Sequence, residues 1–232
     1  MADSEESQKK TKWTESVRSL SPVCSSPSSA SSSTQQQTRL KPSVRRMQII
    51  HAATAVISRK GYWGFSIREV ADELGLSEPA VVYHFKSKTA LLIAVLEYRD
   101  DMDIRQVADH LEVSVDEIRG GRNKIGLYDF ASSFVYINFS QPRMVQLYTI
   151  LQAESLSADH PAHEYFNKRE DRVVSLFEHA ASNSGFEDPR AEALAALALM
   201  DGLQIRWLRN PDTVNVVEQW EYHAQHLWKK KK

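Results

Sequence analysis

Residues 67–88 read IREVADELGLSEPAVVYHFKSK, and the spacing in this stretch decides the fold. Ile67, Val70, Ala71 and Leu74 recur at i, i+3, i+4 and i+7, which is one face of a short helix. Gly75 follows at once, where a chain leaving a helix often needs positive φ. Ser77 is an N-cap for a second helix, and Pro79 fits inside its first turn. In that second helix Val81 and Phe85 are four apart and face the first, and the small Ala71 lets the two cross closely. Glu78, Ala80, Val82, Tyr83 and His84 fall on the outer face, a poor core but a possible reading surface. The spacing predicts a helix-turn-helix.

Upstream, residues 44–60 form a helix with Met47, Ile50, Thr54 and Ile57 on one side, ended by Gly61. Ser66 and Glu69 make a capping-box pair for the helix that follows. Downstream, Leu91, Val95, Tyr98 and Met102 share one face of a helix that begins beside Lys88 and runs away from the motif as a lever arm. Ser114 and Glu117 predict a short helix over 115–119, broken by Gly120-Gly121. Residues 123–140 read as an aromatic-rich helix and 143–156 as another, with Pro142 between them. The turn at 159–164 opens a helix that Gly185 ends. Asp188-Pro189 starts a helix to Arg209 whose Ala and Leu content covers nearly its whole circumference. Val217, Trp220, Ala224 and Leu227 mark a last amphipathic helix. No alternating strand pattern and no repeat interrupts this series. The chain is expected to be all-α, with about nine or ten helices.

Composition separates the chain into zones. Of 232 residues, 42% are hydrophobic and 25% charged, which suits soluble domains with a real core. The net charge of −1 hides an asymmetry: residues 39–88 are basic and residues 89–232 acidic. A basic block on an acidic body suits a module that meets phosphates. The expected divisions are a disordered tail over 1–42, a helix-turn-helix domain over 43–90, a ligand-binding and dimerisation domain over 91–228, and a basic tail over 229–232. The single Cys24 excludes an internal disulfide or cysteine-based metal cluster. No apolar run approaches the ~20 residues of a membrane helix and no signal-peptide core is present, so a cytoplasmic location is expected. The spacing of Asp159, His160, His163 and Glu164 matches no zinc pattern. Neither a nucleophile elbow, a phosphate loop nor a dinucleotide fingerprint occurs. No metal, cofactor or enzymatic activity is expected.

Gly61-Tyr62, Phe65-Ser66-Ile67, Val70-Ala71, Leu74-Gly75-Leu76-Ser77, Tyr83-His84-Phe85, Ser87-Lys88 and Leu91-Leu92 form an ordered series. The series resembles the DNA-binding domain of TetR-type transcriptional regulators. The resemblance implies DNA contacts from Arg45, Ser66, Arg68, Glu78, Pro79, Ala80, Val82, Tyr83, His84 and Lys88. Two positions depart from the family pattern: Val82 stands where an aromatic is usual, and Glu78 is unusual beside phosphates. An apolar contact with a thymine methyl and a bond from cytosine N4 are the replacements these side chains allow.

The body is expected to dimerise, because the helices over 165–184 and 188–209 offer more apolar surface than one chain covers. Phe166, Val173, Phe177, Leu197, Met200, Leu203 and Trp207 are the expected interface of a two-fold four-helix bundle. The resemblance further implies a small-molecule pocket, for which Tyr98, Met102, Phe134, Asn138, Tyr148 and Gln152 are the candidates. The reading is a homodimeric repressor released from a palindromic operator by an unknown small-molecule effector. The alternative is a DNA-binding dimer controlled by a protein partner, or without an effector.

Overall fold

The computed structural model describes residues 41–228; residues 1–40 of the expected tail over 1–42, and the whole of the expected tail over 229–232, lie outside them. Ten helices and no strand occur among the described residues: α1 (Pro42–Gly64), α2 (Ile67–Glu73), α3 (Glu78–Phe85), α4 (Lys88–His110), α5 (Val115–Arg119), α6 (Leu127–Phe139), α7 (Pro142–Glu154), α8 (His163–Ser184), α9 (Pro189–Arg209) and α10 (Val216–Leu227). The first turn of α1, residues 41–45, is a unit apart, and in it Arg45 N donates to Lys41 O at 3.1 Å. Residues 46–228 belong to one compact unit.

α1 runs regularly to Lys60 and breaks at Gly61, which takes φ 67° and ψ −177°. That region of backbone space is nearly closed to any residue with a Cβ. The remaining boundaries follow local chemistry. Ser66 and Ser114 each close a capping box, with Glu69 and Glu117 respectively. Asp188 caps α9 through Ala191 N, and Gly185 ends α8 in the left-handed conformation.

One helix start differs from expectation. α6 begins at Leu127 rather than near 123. Asn123 Oδ1 accepts from Ile125 N at 3.1 Å, a local turn that competes with helix. Asn183 on α8 takes the carbonyls of Asn123 and Ile125, and Ser184 Oγ accepts from Leu127 N at 2.9 Å. The segment is held by tertiary bonds that no local periodicity reports.

A single hydrophobic cluster joins the helix-turn-helix to the body. It contains Ile49, Ala53, Val56 and Ile57 of α1, Val70 and Ala71 of α2, Val81 and Phe85 of α3, and Leu91, Leu92 and Val95 of α4. Leu147 and Leu151 of α7 and Phe166 of α8 complete it. In the body, α8 and α9 pack along their lengths and α6 lies against α4, α8 and α10. Trp220, fully buried on α10, donates its indole N–H to Ser132 Oγ on α6 at 2.9 Å. A buried indole needs such a partner. Among the described residues no helix is long and apolar enough to cross a membrane.

Candidate nucleic-acid interface and the cavities of the body

The turn between α2 and α3 is built by backbone chemistry. Gly75 takes φ 62°, Gly75 N donates to Asp72 O at 3.1 Å and Leu76 N to Ala71 O at 2.9 Å. This pair of bonds is the Schellman ending, which satisfies the last carbonyls of α2. Ser77 stands at the N-cap of α3 without a side-chain bond, and Pro79 lies in the first turn.

α3 is divided between two environments. Val81 and Phe85 are buried. Glu78 and Pro79 are exposed, Ala80, Val82 and His84 are half-buried, and Tyr83 is 72% exposed. Arg68 is exposed on α2. A tyrosine this bare on an eight-residue helix serves no packing purpose. Lys86, which sequence reasoning passed over, ends the helix at φ 62°, is exposed, and bonds Tyr83 O at 3.1 Å. Its signal in the sequence was a lone cation directly after the predicted helix.

Two of the expected DNA contacts are already engaged. Ser66 Oγ accepts from Glu69 N at 3.2 Å in the capping box. Lys88 lies half-buried with its ammonium 4.5 Å from the Tyr62 ring centroid and 4.6 Å from that of Phe65. Burial lowers its pKa, opposed by Glu154 and Glu69. Arg45 belongs to the separate N-terminal unit.

Below this head, α7 ends on the break in α1. Tyr62 N donates to Glu154 Oε2 at 3.0 Å, and a Cβ on Gly61 would lie 2.5 Å from Glu154 Oε1. The buried His160 ring packs against Tyr62 and Trp63, and its Nδ1 accepts from Ala162 N at 3.2 Å. Its Nε2 is 3.7 Å from Glu154 Oε2, and burial lowers its pKa against the pull of Glu154. His163 turns away to Ser155 O at 2.7 Å.

The body holds two adjoining cavities. The larger, about 1130 Å³, is a groove between α4 and α8. The smaller, about 100 Å³, is a chamber between α4, α6, α7, α8 and α9. Of the candidate pocket residues, Phe134, Asn138, Tyr148 and Gln152 line the chamber. Tyr98 and Met102 line neither cavity. Tyr98 packs on His51 of α1, with ring centroids 5.5 Å apart. The face of α4 turned inward is one residue further round, carrying Arg99 and Asp103. These two are paired at 2.6 Å and nearly buried. Arg169, Met200 and Gln204 also line the chamber and were not anticipated there. On the cavity walls, Asp100 receives Tyr148 Oη at 3.0 Å, Tyr165 Oη at 2.5 Å and Arg169 Nε at 2.9 Å. Burial, then the Asp100 charge, raises both tyrosine pKa values.

The expected dimer residues are corrected by their burial. Phe166, Phe177, Met200, Leu203 and Trp207 are covered by their own chain. Val173 and Leu197 line the chamber. The face of α9 left bare is the other one: Leu194, Ala195, Ala198, Gly202 and Ile205. Met200, Leu203 and Trp207 fill their own subunit with Ala193 and Ala196, whereas Ala195, Ala198 and Gly202 lie outside with Leu194 and Ile205.

Residues 49–95 match the family model described as bacterial regulatory proteins, tetR family. That match, running from α1 into α4, assigns the helix-turn-helix region to the TetR family. Similar proteins include the HTH-type transcriptional activator FasR of Mycolicibacterium smegmatis, 25% identical over 82% of this chain and 84% of FasR. The HTH-type transcriptional regulator TtgR of Pseudomonas putida is 26% identical over 80% of this chain and 91% of its own. In fold, the chain is similar to the transcriptional regulator FadR from Bacillus subtilis in complex with stearoyl-CoA. That likeness has a TM-score of 0.62 at 16% identity and covers 78% of this chain and 96% of FadR.

Proposed function

We propose that this TetR-family regulator is a homodimeric repressor whose α2–α3 unit reads a palindromic operator and is released when a small molecule occupies the body. The observation that carries the reading is the division of α3, which buries Val81 and Phe85 and presents Tyr83 with Glu78, Pro79, Ala80, Val82 and His84 to solvent. In helix-turn-helix proteins the second helix enters the major groove by its N-terminal part. Glu78, Pro79 and Ala80 are then the base-reading positions, and Tyr83, His84, Arg68 and Lys86 reach phosphates. Arg45, Ser66 and Lys88 keep backbone roles by resemblance.

A palindrome needs two heads about 34 Å apart, one helical turn of DNA. The bare α9 stripe supports an isologous contact between two copies, with α8 alongside. The chamber and groove support an effector site, as does the stearoyl-CoA complex of a protein with this fold. The effector drives release only by binding the non-DNA state better. α4 carries that difference, because Arg99 and Asp103 line the chamber while its first residue, Lys88, lies beside Tyr62 and Phe65.

The test is salt-dependent binding to arrayed duplex DNA. Arg68→Glu with Lys86→Glu is expected to weaken binding uniformly and flatten its dependence on salt. Unchanged affinity sinks the DNA assignment. A reporter behind the selected operator reads the sign: derepression on deletion supports a repressor, and loss of expression makes the protein an activator.

A further inference from the structure

The groove and the chamber share a wall of Asp103, Phe134, Arg169, Val173 and Phe177. Their combined linings hold seven carboxylates but only five cationic side chains, so the charge does not balance. Every one of the cations is taken. Arg169 and Arg172 both pair with Asp100, Arg119 with Asp101, Arg99 with Asp103 and Lys168 with Glu164. Glu97, Asp171 and Asp201 have no ion pair among the described residues. An entering anion meets only cations already paired, whereas an entering cation meets carboxylates in excess.

A second observation is independent of charge. Gln204 is 8% exposed, and its Nε2 is buried without a hydrogen-bond partner while the side chain lines the chamber. Asp103 Oδ1 lies 2.6 Å from Arg99 but makes no aligned hydrogen bond. Buried polar groups are normally bonded, so one unused donor and one under-used acceptor on the same chamber call for a molecule that supplies both. About 100 Å³ is more than one water requires. Phe134 and Phe177, with centroids 5.5 Å apart, lie on the shared wall. Aromatic faces attract cations.

We propose that the body binds a small organic cation carrying an oxygen acceptor, with its ammonium at Asp103, its oxygen at Gln204 Nε2 and its apolar part along Phe134 and Phe177 into the groove. The inference rests on the effector reading above and names the chemistry of that site. Tetrahedral ammonium donors satisfy Asp103 without displacing Arg99, and the unpaired carboxylates of the groove draw the molecule in.

Three probes of one size separate the classes: phenylalaninol, which is cationic, its neutral N-acetyl derivative, and anionic phenyllactate. Full-length protein is titrated with each by calorimetry and thermal shift. Phenylalaninol is expected to bind and to raise the melting temperature, the neutral probe to bind at least about tenfold more weakly, and phenyllactate not to bind. Asp103→Asn is expected to weaken phenylalaninol at least about tenfold, and Gln204→Leu, which leaves the ion pair intact, about threefold to tenfold.

The pH profile adds a readout that a structural role would not move. Burial pushes Asp103 up to about 6, opposed by Arg99 and Arg169. The groups facing it are Arg99 and Asp100 from α4, Tyr148 from α7, Arg169 from α8, Asp201 and Gln204 from α9, and the uncharged Phe134 and Asn138 from α6. Cation affinity should fall as pH drops through about 6, where the amine stays charged. Binding of phenyllactate in preference, equal binding of cation and neutral probe, or no binding by any probe overturns the proposal. Operator binding is measured on the same preparation. If a neutral or anionic probe binds and releases DNA, the effector reading stands and only the cation class falls.

Discussion

The backbone N–H of Tyr62 donates to Glu154 Oε2 at 3.0 Å, joining the break in α1 to the end of α7 across 92 residues of sequence. Gly61 makes the approach possible, because any Cβ there would lie 2.5 Å from the other carboxylate oxygen. Five residues of the same α7 line the chamber: Met144, Val145, Tyr148, Thr149 and Gln152. One rigid helix therefore touches both the cavity and the head.

Gly61→Ala should destabilise the protein by about 1–3 kcal/mol, since it combines a forbidden φ with a clash. Denaturant midpoints give the value. Adding Glu154→Ala should recover part of the loss, a coupling that independent sites would not show.

Two neighbouring aromatics on α3 should behave in opposite ways. Phe85→Ala opens the core and costs about 3–5 kcal/mol. Tyr83→Ala should change stability by less than about 0.5 kcal/mol, because the ring is exposed. It should still weaken operator binding, measured by fluorescence anisotropy. A Tyr83 variant with unaltered DNA affinity would remove that residue from the interface.

Charge placed on the bare face of α9 tests the revised dimer surface. Ala198→Glu with Ile205→Glu should give a folded monomer by sedimentation, with normal helicity and lost operator binding. Trp207→Ala should instead lower stability by about 3–5 kcal/mol, because Trp207 is buried in its own subunit.

Two buried groups should tilt the pH–stability curve in opposite senses. His160 has a lowered pKa through burial, so the unfolded chain takes up its proton first. Stability should therefore fall as pH drops below about 6.5, the ordinary histidine value. Asp103, pushed up to about 6, holds its proton in the folded state longer than in the unfolded chain. Its contribution is present below about 4 and lost as pH rises through about 6. Denaturant titrations at stepped pH should show His160→Gln flattening the first slope and Asp103→Asn the second.

The sequence by itself determined the helices, their caps and the reading unit. Capping boxes, the Gly75 turn and the 3.6-residue period act within a few residues of chain, so Ser66, Ser114, Val81 and Phe85 could be placed without a fold. Tertiary structure alone decided which partner each face met. The α9 period marks apolar residues all round, yet Met200, Leu203 and Trp207 turn into their own subunit while Ala198, Gly202 and Ile205 remain outside. α4 offers Tyr98 and Met102 or Arg99 and Asp103 to the chamber, and a rotation of one residue chooses the charged pair. Lys88 reads as a free cation until Tyr62 and Phe65 are folded beneath it. Local spacing sets periodicity and termination, but the direction of a helix face and the pairing of a buried charge depend on atoms far along the chain.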